Sequence, residues 1–110
     1  MKDIRSLFIK ISSVSHMSDD ETIEAKIRRI DGFFEVTVTD AVTEAVLAQF
    51  FIGELVGKEE KRWAFLDKRG TKLRCVSRKD NLAEALEELN TFLTKNGIFG
   101  FSMETLAELS

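Results

Sequence analysis

Glu24-Ala25-Lys26-Ile27-Arg28-Arg29-Ile30-Asp31-Gly32-Phe33-Phe34-Glu35-Val36-Thr37-Val38 sets an Asp-Gly pair between two alternating runs. This pattern predicts a β-hairpin with a two-residue type I′ turn, because Gly accepts the positive φ that such a turn demands. Pairing Ile30 with Phe33 puts Arg28 opposite Glu35 and Ile27 opposite Val36. One face then carries Ile23, Ala25, Ile27, Phe34, Val36 and Val38, with Arg29 the exception near the tip. The other carries Lys26, Arg28, Glu35, Thr37 and Thr39, with Ile30 and Phe33 beside the turn. A slip of one residue in either strand would turn charges inward, so the pattern fixes the register.

A second hairpin is expected in residues 61–76. Lys68-Arg69-Gly70 suits a three-residue loop with Gly in the left-handed position. Pairing Asp67 with Thr71 places Phe65 opposite Leu73 and Trp63 opposite Cys75. Arg62, Ala64, Leu66, Lys72, Arg74 and Val76 fall on the other face, which separates the large aromatics from the basic groups.

A helix is expected over residues 81–96, where Leu82, Ala85, Leu86, Leu89, Phe92 and Leu93 recur at spacings of three and four. Asp80 is the expected N-cap, Glu84 complements the positive helix end, and Asn96-Gly97 supplies the stop. The apolar tail Ile98 to Leu109 should dock, with Ser102 capping one or two helical turns. Residues 40–57 combine helix-favouring Ala, Glu, Leu and Gln after a capping Asp40 with apolar side chains suited to a buried strand. Helix is favoured there, since it would give a strand-strand-helix unit occurring twice. The run Ile4 to Val14 fits either a helix or a strand.

The chain has 110 residues and a mass of 12.5 kDa, with 44% hydrophobic and 32% charged residues and a net charge of −3. Residues 1–110 are therefore expected to form a single folded domain. Its class is α+β, a small two-layer domain with an antiparallel sheet built from two hairpins packed against one or two helices. No apolar run approaches the roughly 18 residues of a membrane span. One cysteine permits no internal disulfide, and the charged Met1-Lys2-Asp3-Ile4-Arg5 start does not fit a signal peptide. These features lead to the expectation of a reducing, cytoplasmic setting without membrane association.

The inventory for chemistry is thin, with one histidine, no tyrosine and no proline. A nucleophile would need Cys75, His16 and a third, orienting group, in a spacing that matches no signature. Cys75 is instead expected as a buried structural thiol on the face of Trp63. His16 alone cannot build a zinc site and reads as a solvated or capping residue. Asp19-Asp20-Glu21 lacks the alternating ligands and the Gly of a calcium loop. Gly53-Glu54-Leu55-Val56-Gly57-Lys58 has three residues between its glycines and Glu59 after the Lys, so it is not a phosphate cradle. No catalytic residue, cofactor or metal is expected.

Charge is distributed in blocks of −4 over residues 1–57, +6 over 58–79 and −5 over 80–110. The basic block contains Lys61, Arg62, Lys68, Arg69, Lys72, Arg74, Arg78 and Lys79. It can serve an anionic partner or balance the chain's own acidic helix. The function expected is a non-enzymatic protein-interaction module, of the kind of a small acidic adaptor, chaperone-like or inhibitor protein. Its partner is another protein or its own copy, since nine Phe and one Trp exceed what short helices bury. The alternative is a nucleic-acid-binding domain using the basic hairpin of residues 58–79. A minor third is a small-molecule pocket between helix and sheet, lined by Phe side chains. The binding residues expected are Arg62, Lys68, Arg69, Lys72 and Arg74, with Phe33 as an exposed apolar group at the other hairpin tip.

Overall fold

The computed structural model describes residues 11–57 and 62–110. Six strands, β1 (Ser13–Met17), β2 (Ile23–Ile30), β3 (Phe33–Asp40), β4 (Val46–Glu54), β5 (Trp63–Arg69) and β6 (Lys72–Lys79), form one antiparallel sheet in chain order. Two helices follow, α1 (Leu82–Lys95) and α2 (Met103–Glu108). The domain is α+β, with a sheet larger than two hairpins. Of the Ile4 to Val14 run, Ser13 and Val14 belong to β1, and residues 1–10 lie outside the described residues.

The β2–β3 hairpin has the register its alternation dictates, with Ile30 opposite Phe33, Arg28 opposite Glu35 and Ile27 opposite Val36. Its turn differs from expectation. Asp31 takes the left-handed φ of 48° and Gly32 does not, which gives the φ signs of a type II′ turn rather than type I′.

Residues 40–57 form no helix. Val46–Glu54 is a strand paired with both β3 and β5, so the strand-strand-helix repeat does not occur. Between two strands, a helix here would leave two rows of backbone donors and acceptors without partners, and that overrides the modest helix preference of Ala, Leu and Gln. Asp40 does cap, but it caps a turn: its Oδ1 accepts from the N–H groups of Val42 (2.9 Å) and Thr43 (2.8 Å).

The second hairpin is also corrected. Its loop is the two residues Gly70 and Thr71, with Gly70 at φ 61°, and Arg69 pairs with Lys72. Asp67 therefore faces Arg74 rather than Thr71, and Leu66 faces Cys75. The odd shift reverses the two faces at the turn end of β6. A bulge at Val76 then changes the register again, so that Phe65 meets Ser77 and Trp63 meets Lys79. The shifted register gives the buried Asp67 carboxylate a cationic neighbour, whereas the three-residue loop would have left it opposite a threonine.

α1 packs its stripe of Ala85, Leu86, Leu89 and Leu93 against one face of the sheet. Its N-cap is Asn81, not Asp80: the Asn81 side chain accepts from the Glu84 N–H at 2.9 Å. Gly97, at φ 73°, follows the C-cap Asn96 and lets the chain reverse. The tail returns across β1 to β3, adding Ile98, Phe101, Leu106 and Leu109 to a core of Ala25, Ile27, Phe34, Val36, Val38, Phe50, Ile52 and Phe65. As its sequence suggests, Ser102 caps α2 by accepting from the Thr105 N–H. All these elements lie on one side of the sheet. Among the described residues, no helix or strand covers the other face.

Candidate functional site

Strand alternation and register decide what the uncovered face presents. Two rows of apolar side chains cross it. One runs from Ile30 and Phe33 at the first hairpin tip past Gly53 to Ala64, and the other runs from Phe51 through Leu66 to Cys75. Leu73, 59% exposed, lies beside the second row. Phe33 and Phe51 meet edge to face, with centroids 5.6 Å apart and planes at 68°. Lys68 sits in the adjoining row, opposite Gln49 and Leu73, and Arg78 lies opposite Ala64. The remainder of the face is polar. Glu24, Lys26, Arg28, Glu35, Thr37, Thr39 and Gln49 help line a concavity of about 750 Å³, in which the Arg28 Nε donates to Glu35 Oε1 at 2.6 Å.

The expected binding residues are not gathered into one patch. Phe33 and Lys68 share the open face. Arg62 lies just before β5, exposed. Arg69, Lys72 and Arg74 belong to the turn end of the second hairpin, where Arg74 points to the helix side with Asp67. Its guanidinium grips that carboxylate with two bonds, Nη2 to Oδ2 at 2.9 Å and Nε to Oδ1 at 3.3 Å, and Arg69 Nε stands 3.6 Å from Oδ2. These bonds, Arg74's foremost, hold the Asp67 carboxyl below the usual carboxylate range and raise Arg74 above its own. Part of the basic block is thus balanced by Asp67. Lys61 lies outside the described residues.

Phe51 and Leu66 are the central open-face residues that the sequence reading missed. The alternation of Ala48, Phe50 and Ile52 against Gln49, Phe51 and Gly53 carries the signal for a strand apolar on both sides, but that pattern is equally open to a helix.

On the helix side, a second concavity of about 910 Å³ lies beyond Phe92 of α1 and over the Gly70 end of β4, β5 and β6. Phe50 and Phe65 stack on its floor (5.5 Å, 16°), and Phe92 meets Phe50 edge to face at 4.7 Å. Val46, Ala48 and Val76 line it, with Arg69 and Arg74 at one end.

Cys75 is exposed on the open face rather than buried beside Trp63, because the shorter loop moved β6 by an odd number of residues. His16 is on β1 and Cys75 on β6, at opposite edges of the sheet, so they cannot act as a pair. The His16 Nδ1–H donates to the Phe99 carbonyl at 2.7 Å, and its ring stacks on Phe101 at 4.5 Å. In the acidic loop, Asp20 Oδ1 accepts from the hydroxyls of Ser18 and Thr22 and from the Thr22 N–H. Among the described residues no three metal-ligating side chains converge, and no helix is long and apolar enough to cross a membrane. Comparison with protein families, with curated proteins and with solved structures returns no match in any of the three.

Proposed function

We propose that the protein is a non-enzymatic protein-interaction module whose open sheet face docks a partner presenting an apolar strip edged by carboxylates. The observation that carries this reading is the double row Ile30, Phe33, Phe51, Leu66 and Cys75 on a face that no described element covers. Contiguous apolar surface of this kind marks an interaction site, and aromatic side chains are favoured at interface centres. Lys68 and Arg78 stand at its border. The Lys68 ammonium there suits an acidic partner and repels a basic one.

A single-stranded nucleic acid fits less well. Base stacking needs rings that lie open and flat, whereas Phe33 and Phe51 pack edge to face against each other, and Glu24 and Glu35 lie on the same face. The test uses three proteins: wild type, Leu66→Lys and the double variant Lys68→Glu/Arg78→Glu. A partner captured from the native host by wild type, then purified and mixed back, should bind at least tenfold more weakly to both variants. Retained binding by Leu66→Lys, or binding of oligo-dT by wild type that falls with salt and is lost in the double variant, would overturn the reading in favour of another surface or of nucleic acid.

A further inference from the structure

Phe99 is 81% exposed, yet its backbone is held on both sides. The Ile98 N–H bonds to the Leu93 carbonyl at 2.9 Å, the Phe99 carbonyl accepts from His16, and the Phe101 N–H donates to Asn90 Oδ1 at 2.9 Å. The side chain is thus a fixed apolar knob rather than a loose loop residue, and a contact made by such a group costs little ordering entropy. Met103, 43% exposed, and Glu104 of α2 follow it four and five residues along the chain, and residues 98–110 contain two side-chain carboxylates and no basic side chain. The helix-side concavity has the complementary character. Its floor is aromatic, its Val46 wall is 63% exposed, and its Arg69 and Arg74 end carries two cations against the single Asp67.

Within one molecule these two features cannot meet. Phe99 lies beside His16 on β1, and the concavity lies over β4 to β6. Strands about 4.8 Å apart put roughly 19 Å between β1 and β5, far beyond the reach of a phenyl ring. We infer that Phe99 of one copy seats in the Phe50, Phe65 and Phe92 concavity of a second copy, with Glu104 directed to the Arg69 and Arg74 end. Reciprocal seating, each knob in the other copy's hole, gives a two-fold dimer, and one-way seating gives rings or open chains. The surfaces are separate from the open face.

The experiment measures association by sedimentation velocity at low and high salt. Wild type should associate with rising concentration, less so at high salt because the charged contacts are screened. Phe99→Ser removes the knob and Val46→Glu blocks the hole. Both positions are exposed, and unchanged melting temperatures will show that both variants fold. Each variant alone should associate at least tenfold more weakly. An equimolar mixture should form a complex capped at two copies, because Val46→Glu retains the knob and Phe99→Ser retains the hole. Leu66→Lys on the open face should associate as wild type does. A monomeric wild type at the highest attainable concentration, a mixture that stays monomeric, or a Phe99→Ser variant that still associates normally would each overturn the inference.

Discussion

Asp20, Asp40 and Asp67 all have carboxyls held below the ordinary range, each by hydrogen bonds. Asp20 is lowered to about 2, first by the Thr22 hydroxyl and then by Ser18 and the Thr22 N–H. The N–H groups of Thr43 and Val42 lower Asp40, and Arg74 lowers Asp67. Because the folded form is the stronger acid, the unfolded chain binds more protons in acid. The stabilisation is complete above the unfolded aspartate value of about 3.9 and is lost as pH falls through the folded values. The melting temperature should therefore hold from neutrality to about pH 5 and fall towards pH 2, and Asp20→Asn should flatten the lower part of that fall in a thermal-melt series. A melting temperature that is flat across this range would contradict the assignment. At this scale the Arg28 and Glu35 pair is legible in the sequence, since an Asp-Gly turn fixes it. The Asp67 and Arg74 pair is not, because it depends on a loop one residue shorter than Lys68-Arg69-Gly70 suggests.

Among the elements, one side-chain amide ties the tail to α1 at Phe101. Asn90 Nδ2 donates to the Phe101 carbonyl at 2.7 Å and Asn90 Oδ1 accepts from the Phe101 N–H. Asn90→Ala would leave both backbone groups without partners and should cost about 1–3 kcal/mol in urea unfolding. Gly100→Ala acts on the same joint from the other side, because a Cβ there would stand 2.6 Å from Asn90 Cγ. It should destabilise the fold and also displace Phe99. A wild-type unfolding midpoint in both variants would rule out this joint. The first hairpin and α1 were readable because alternation and three-four spacing are local. β4 was not, since its identity as a strand depends on neighbours on both sides. Nor was the bulge at Val76, because the face on which Cys75 emerges is set by pairing across β5. That error also hid Leu73 as a member of the open face.

For the molecule as a whole, the described architecture is one-sided, with α1 and the tail on one face of the sheet and no described element on the other. Surface left unburied contributes little to stability, so Leu73→Lys on the open face should change the unfolding free energy by no more than about 0.5 kcal/mol. A loss of several times that in a urea titration would show that Leu73 is packed against something within the chain. Composition and length were enough to place the chain among small α+β domains. Strand order was not legible, because alternation assigns faces but not neighbours.

The sheet is a meander in which every strand after the first pairs with its predecessor, while the helix and tail that shield its inner face follow it in the chain. Each strand can join as it leaves the ribosome, without waiting for a distant segment. The apolar inner face then stays bare until residues 82–109 have been synthesised. The nascent chain is thus most prone to aggregate once β6 has emerged and before residues 82–109 follow, with the sheet formed and its inner face uncovered, and at that stage it depends on chaperones or on rapid emergence of α1 and the tail.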